Sequence, residues 1–309
     1  MEPKKSLKQK GRRGAHQVQK QFKAPKSVVA TRARFESKAN IRDRTKALEK
    51  IEESSRGLIP QIQTTSKVAP LAEKFRPFHL SESIGNKDIV AELLGMIKLG
   101  DVPYSMVFWG APGIGKTSDA KAWAVDYMIA NGIFDKEGKQ VEGVFDPILF
   151  MDRPIRMEDM VEGGVIWNFM TYLPPAPNVK RVLIADEGDR ISREAILRLR
   201  QLLEKSGNTT FTIFTSNEPP DTWLNPDDMS LRGVQSRMRF FEFKPPTENE
   251  LADRLKQIAA VERIEIAEDE IRQVVKDSII GGDIDIRKAL DNLSRYRSRR
   301  AGNDLMRRH

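Results

Sequence analysis

From about residue 70 onward, short apolar runs alternate with stretches whose apolar positions recur three and four apart. SMVFW (105–109), RVLIADE (181–187), FTIFTS (211–216) and RFFEF (239–243) are near-continuous apolar runs. Runs of that length and composition predict strands buried on both faces. TSDAKAWAVDYMIA (117–130) and SREAILRLRQLLEKSG (192–207) carry helical spacing between them. Strands alternating with helices predict an α/β fold with a parallel sheet flanked by helices. After Pro245 and Pro246 only helical spacing remains, in TENELADRLKQIAAVE, AEDEIRQVVKDSII and DIRKALDNLSRYRSRR. This predicts a small three-helix lid, opened by a capping box between Thr247 and Glu250. The stretch NGIFDKEGKQVEGVFDPILF (131–150) looks like a small hairpin insertion. No internal repeat is visible.

The first segment is different. Residues 1–68 hold 18 Lys and Arg against 6 Asp and Glu, a net of +12, while the whole chain of 309 residues is +8. Few large apolar side chains accompany that charge, so the segment cannot offset its chain entropy by burial and is expected to be largely disordered. Within it, residues 39–54 have the Glu–Lys spacing of a helix. The expected organisation is a basic arm over 1–69, a nucleotide-binding domain over 70–245, the helical lid over 246–300 and a tail over 301–309. The arm fits two roles, a phosphate-neutralising DNA- or RNA-binding extension or a solubilising or targeting tail.

Composition narrows the chemistry. There is no Cys, which excludes disulfides, thiolate zinc sites and a cysteine nucleophile. The three His lie at positions 16, 79 and 309, too few and too scattered for a histidine-rich metal site. No apolar run is long enough to span a membrane, and the N-terminus has no apolar signal core. The expectation is a soluble, cytoplasmic or otherwise intracellular protein with a polyanionic partner.

Residues 110–117 read GAPGIGKT, a full match to the phosphate-loop spacing, with a strand before it and a helix after it. Gly110, Pro112, Gly113 and Gly115 shape a turn whose N–H groups point inward at phosphate oxygens, aided by the helix N-terminus. Lys116 would reach the β- and γ-phosphates, and Thr117 would put its hydroxyl on Mg²⁺. RVLIADE ends in Asp186 and Glu187, beside that loop at the strand's C-terminal end. Asp186 would hold Mg²⁺ mostly through water and Glu187 would act as general base toward the attacking water. Asn217, ending the next strand, could orient that water, or could simply cap a turn. The cofactors expected are ATP and Mg²⁺.

Together these residues resemble the AAA+ ATPases: phosphate loop, acid-ending strand, Asn-ending strand, helical lid. Within that group the chain looks most like the clamp-loader clade, the small subunits of replication factor C. EKFRPFHLSESIGNKDIV (73–90) resembles the family's opening box, with Glu73, Arg76 and Pro77 matching. LRQLLEKSGNTTFTIFTSN (199–217) resembles its central helix and following strand. VQSRMRFFEF resembles its Ser-Arg-Cys box, with Met238 in place of the cysteine. GGDIDIRKALDNL (281–293) resembles its lid box, with Arg287 in the lid-arginine position and either Asp283 or Asp285 in the aspartate role.

The resemblance covers about residues 70–297. It implies an ATPase subunit that forms a homo- or hetero-oligomeric ring, acts in DNA replication and loads a sliding clamp on primed DNA. It implies that Arg237 is an arginine finger serving the nucleotide of the next subunit. Arg198 and Arg200 on the central helix become candidates for DNA contact, or form a solvated helix face. The family's helical collar after the lid is expected to be missing. Another AAA+ machine remains the alternative: a MoxR-like chaperone, or a branch-migration or packaging motor.

Overall fold

The computed structural model describes residues 43–49, 69–141, 146–225 and 227–306. Most of the basic arm, including its expected disorder, lies outside them. Within the arm, residues 43–49 are helical, inside the stretch whose Glu–Lys spacing predicts it. Leu48 of that segment packs on the main core.

Five strands form one sheet: β1 (Ser105–Trp109), β2 (Ile148–Met151), β3 (Arg181–Ala185), β4 (Thr210–Ser216) and β5 (Met238–Glu242). Their spatial order is β2-β3-β4-β1-β5 and every pairing is parallel. All four apolar runs become strands, with ends within one residue except that β3 stops at Ala185, before the Asp186-Glu187 pair that closes its run. Alternation within them explains the burial. Met106 and Phe108, Val182 and Ile184, and Phe211 and Ile213 enter one core, while Val107, Leu183, Ala185 and Phe214 enter the core on the opposite face. Helices α2 (Lys87–Leu99) and α3 (Lys116–Ala130) cover the first face. There Trp123 stacks on Tyr127 and donates to the Leu93 carbonyl (3.0 Å). Helices α4 (Val165–Thr171), α5 (Arg193–Ser206) and α7 (Met229–Gln235) cover the second. The single-turn helices α1 (Leu71–Lys74) and α6 (Pro220–Trp223) complete the series.

The stretch 131–150 is only in part a hairpin insertion. Phe134 and Gln140 bridge antiparallel, but Ile148–Phe150 open β2, one of the two edge strands of the sheet. Its four short residues, half-buried at the edge, lack the length that marked the other strands.

The lid contains α8 (Glu248–Glu262), α9 (Glu268–Lys276) and α10 (Ile286–Met306). Thr247 and Glu250 make the expected capping box. Two features depart from the sequence reading. Helix α9 stops at Lys276, and β6 (Ile279–Ile280) pairs with β7 (Asp283–Ile284) as a tight hairpin. Gly281 and Gly282 both take positive φ at its tip (+64° and +98°), a conformation other residues resist. Helix α10 also continues to Met306, through much of the expected tail. The lid has its own core, which includes Leu71 and Phe75 beside Leu251, Leu255, Ile271 and Leu293.

Between α1 and α2 the chain is pinned to the sheet body. The His79 ring nitrogen Nδ1 is 2.7 Å from an Asp126 carboxylate oxygen, and the Leu80 N–H donates to the other oxygen (2.8 Å). Burial alone would push His79 down, but the hydrogen bond and charge of Asp126 outweigh it and hold the ring above its ordinary pKa.

Candidate functional site

A cleft of about 390 Å³ opens between the C-terminal ends of β1, β3 and β4 and the lid. The phosphate loop leaves β1 at Gly110 and enters α3 at Lys116. Its turn depends on glycine at three places, with φ +144° at Gly110, +78° at Gly113 and +104° at Gly115. Gly113 is needed twice over, because a Cβ there would collide with the Asp285 carboxylate of the lid.

Lys116 points back into its own loop. Its ammonium donates to the Gly110 carbonyl (2.8 Å), the Ala111 carbonyl (2.7 Å) and Asn217 Oδ1 (3.0 Å). Burial pushes this lysine down to about 8, against the pull of Asp186 and Asp189. A buried ammonium stabilised mainly by neutral carbonyls is poised for an anion. Asn217 is held in turn, its N–H donating to Asp189 Oδ1 (3.2 Å).

Asp186 follows β3 and meets the phosphate loop. Its Oδ1 accepts from Thr117 Oγ1 (3.1 Å), Thr215 Oγ1 and the Glu187 N–H (3.2 Å). Among the described residues no group of three or more His, Cys, Asp or Glu could enclose a metal. A carboxylate and a hydroxyl fit Mg²⁺, which keeps several waters and takes phosphate oxygens to complete its octahedron. Thr117 can donate its proton to Asp186 and still offer a lone pair to the ion. Glu187 also lines the cleft, in the left-handed conformation (φ +55°), with its carboxylate paired to Arg190 (3.1 Å).

The lid closes the other wall. Asp285 caps α10 by accepting the Lys288 N–H (2.9 Å), and the Ile286 N–H donates to the Gly113 carbonyl (3.0 Å). Arg287 faces the cleft and its charge bears on Lys116. Asp285 lies two residues before Arg287, at the helix start, and Asp283 lies in the hairpin.

Arg237 is elsewhere. Met238 pairs with Ser105 and Glu242 with Trp109, so Arg237 lies at the sheet end opposite the phosphate loop. Five strand residues at ~3.3 Å each separate the two ends by roughly 16 Å. Its guanidinium is bound to the Gly233 carbonyl and to Glu204 (3.3 Å). Arg200 shares that Glu204 oxygen (3.0 Å) and donates to the Ser230 carbonyl (3.2 Å), so it is tied within the chain, whereas Arg198 donates to its helix neighbour Gln201 (2.9 Å).

Sequence reasoning missed several cleft residues. Burial pushes Asp119 on α3 up to about 7, with a hydrogen bond from Ser83 pulling the other way. Arg254 of α8 faces Glu82 across the cleft. No motif marks them, since the fold brings them together from distant segments. Thr215 was accessible in principle, because strand alternation puts it on the same side of β4 as Asn217.

Sheet order, phosphate loop and lid together define a P-loop chain with the AAA+ fold. Within that class the chain is similar to replication factor C small subunits. It is 26% identical over 234 residues to replication factor C subunit 4 of Saccharomyces cerevisiae, covering 75% of this chain and 64% of that relative. It is 29% identical over 221 residues to the replication factor C small subunit of Methanoculleus marisnigri, covering 72% and 61%. The chain therefore spans less than two thirds of the length of these relatives. Among solved structures, the RuvB Holliday junction branch migration motor of Thermotoga maritima shares the fold, with a TM-score of 0.50 at 21% identity over 72% of this chain and 65% of that one. No family model matches the chain.

Proposed function

We propose that this chain is an ATP-hydrolysing, clamp-loader-like subunit that assembles with other AAA+ subunits and loads a sliding clamp on primed DNA. The phosphate loop takes ATP, with Lys116 on the β- and γ-phosphates and Mg²⁺ between Thr117 and Asp186. Glu187 turns from Arg190 to polarise the attacking water, Asn217 orients that water, and Arg287 senses the nucleotide from the lid. The similarity to replication factor C small subunits supports the choice among AAA+ machines.

The observation that carries the reading is the separation of Arg237 from its own cleft. An arginine on the far end of the sheet can reach only a nucleotide held by a neighbour. Its present ion pair with Glu204 is half exposed, and such pairs contribute only about 0–1 kcal/mol, so it is readily given up. A finger supplied in trans makes hydrolysis conditional on assembly.

Native mass spectrometry with a non-hydrolysable ATP analogue, with and without primed-template DNA, tests this. A five-membered ring favoured by the primer junction, or a monomer that joins only other loader subunits, is the expected result. Arg237→Ala should then reduce assembled turnover by about 10³-fold or more while nucleotide affinity is retained. A closed six-membered ring indifferent to the junction would overturn the reading in favour of a remodeller or branch-migration motor.

A further inference from the structure

The fold treats the two oxygens of Asp186 differently, and one of them carries three donors. Oδ1 accepts three donors: the hydroxyls of Thr117 and Thr215 and the N–H of Glu187. Among the described residues Oδ2 accepts none. The Thr215 donor is built in. Thr215 is 1% exposed, and β3 and β4 pair in register with Ala185 opposite Phe214, which brings the next residues, Asp186 and Thr215, side by side. The Glu187 N–H reaches Oδ1 because the chain turns into the left-handed region immediately after the strand.

A terminal carboxylate torsion is broad and nearly two-fold, so it does not fix which oxygen faces the cleft. An ionised carboxylate only accepts hydrogen bonds. Three donors on one oxygen therefore break the symmetry and leave the other to the cleft. Among the described residues no group of three or more His, Cys, Asp or Glu encloses an ion, so the metal depends strongly on the aim of Asp186.

We propose that Thr215 is a positioning residue for the divalent cation: its buried hydroxyl locks Asp186 Oδ1 so that Oδ2 is presented to the ion that arrives with the nucleotide. The inference rests on the nucleotide-and-metal reading of the cleft and adds to it a residue two positions before Asn217, on the same face of β4.

The test uses the full chain and a fluorescent non-hydrolysable ATP analogue, titrated across a range of Mg²⁺ concentrations, with Mn²⁺ binding followed by electron paramagnetic resonance. Thr215→Val keeps the side-chain volume and removes the donor. The Mg²⁺ concentration that half-maximally tightens nucleotide binding should rise about 10- to 100-fold. Affinity without metal should stay at the wild-type value, and Thr215→Ser should restore metal dependence. Thr215→Cys, a weaker donor of similar size, should fall between them and serves if the valine variant does not fold. Wild-type metal dependence in either the valine or the cysteine variant overturns the inference. Wild-type protein that binds no nucleotide overturns the cleft reading itself, and this inference with it.

Discussion

Glu187 is held in a conformation that L-residues adopt reluctantly, at a cost on the order of 1 kcal/mol, and its carboxylate is tied to Arg190. Both features hold it at the edge of the cleft, turned toward Arg190. Glu187→Gln should lower turnover by about 10²- to 10⁴-fold while nucleotide affinity is retained, giving a chain that holds ATP unhydrolysed. A filter-binding assay beside a phosphate-release assay separates the two quantities, and ordinary turnover would remove the base assignment. At this scale the sequence was informative where spacing encodes chemistry. GAPGIGKT, Asp186, Glu187 and Asn217 converge on one cleft because the strands that carry them run parallel and end together. Ser83, Asp119, Glu82 and Arg254 were not legible, since each acquires its role only from a partner tens of residues away.

Single elements show what patterns can and cannot carry. β1, β3 and β4 were visible because both of their faces are apolar; β5 was legible from its aromatic run, although it is an edge strand with Phe240 exposed rather than one buried on both faces, whereas β2 was hidden in a loop-like stretch because an edge strand of four residues gives too little pattern to read. The β6–β7 hairpin was hidden for the opposite reason. Ile271, Val274, Val275 and Ser278 keep helical spacing to the end, and only Gly281 and Gly282 signal a reversal. The turn that follows α1 depends on one buried acid. Asp126 accepts from the Leu80 N–H and pairs with His79. Asp126→Ala would leave a buried N–H and a buried imidazole without their partner, and should cost about 3 kcal/mol of stability in urea titration. A loss below about 1 kcal/mol would mean that water replaces the carboxylate.

At the scale of the whole molecule the charge is unevenly spread along the chain. Residues 1–68 carry a net +12 and residues 69–309 a net −4. If the arm neutralises phosphates, deleting residues 1–42 should weaken DNA binding and flatten its dependence on salt, since each phosphate contact contributes close to one unit of slope. Unchanged affinity and slope would reassign the arm as a targeting or solubilising tail. The overall α/β plan was legible because alternation of periods is a global signal. The sharing of the lid core with residues 71 and 75 was not, because no local pattern says which of two apolar cores a short helix will join.

That sharing has a mechanical counterpart at the helical segment 43–49, where Leu48 is seated on the sheet body. The chain is thus made fast twice, first to the sheet body and then, after residues 50–68, to the lid. Nineteen residues can pay out roughly 60 Å of line. A pull on the chain ahead of residue 43 would therefore be borne at Leu48 by the sheet body before it reached the lid.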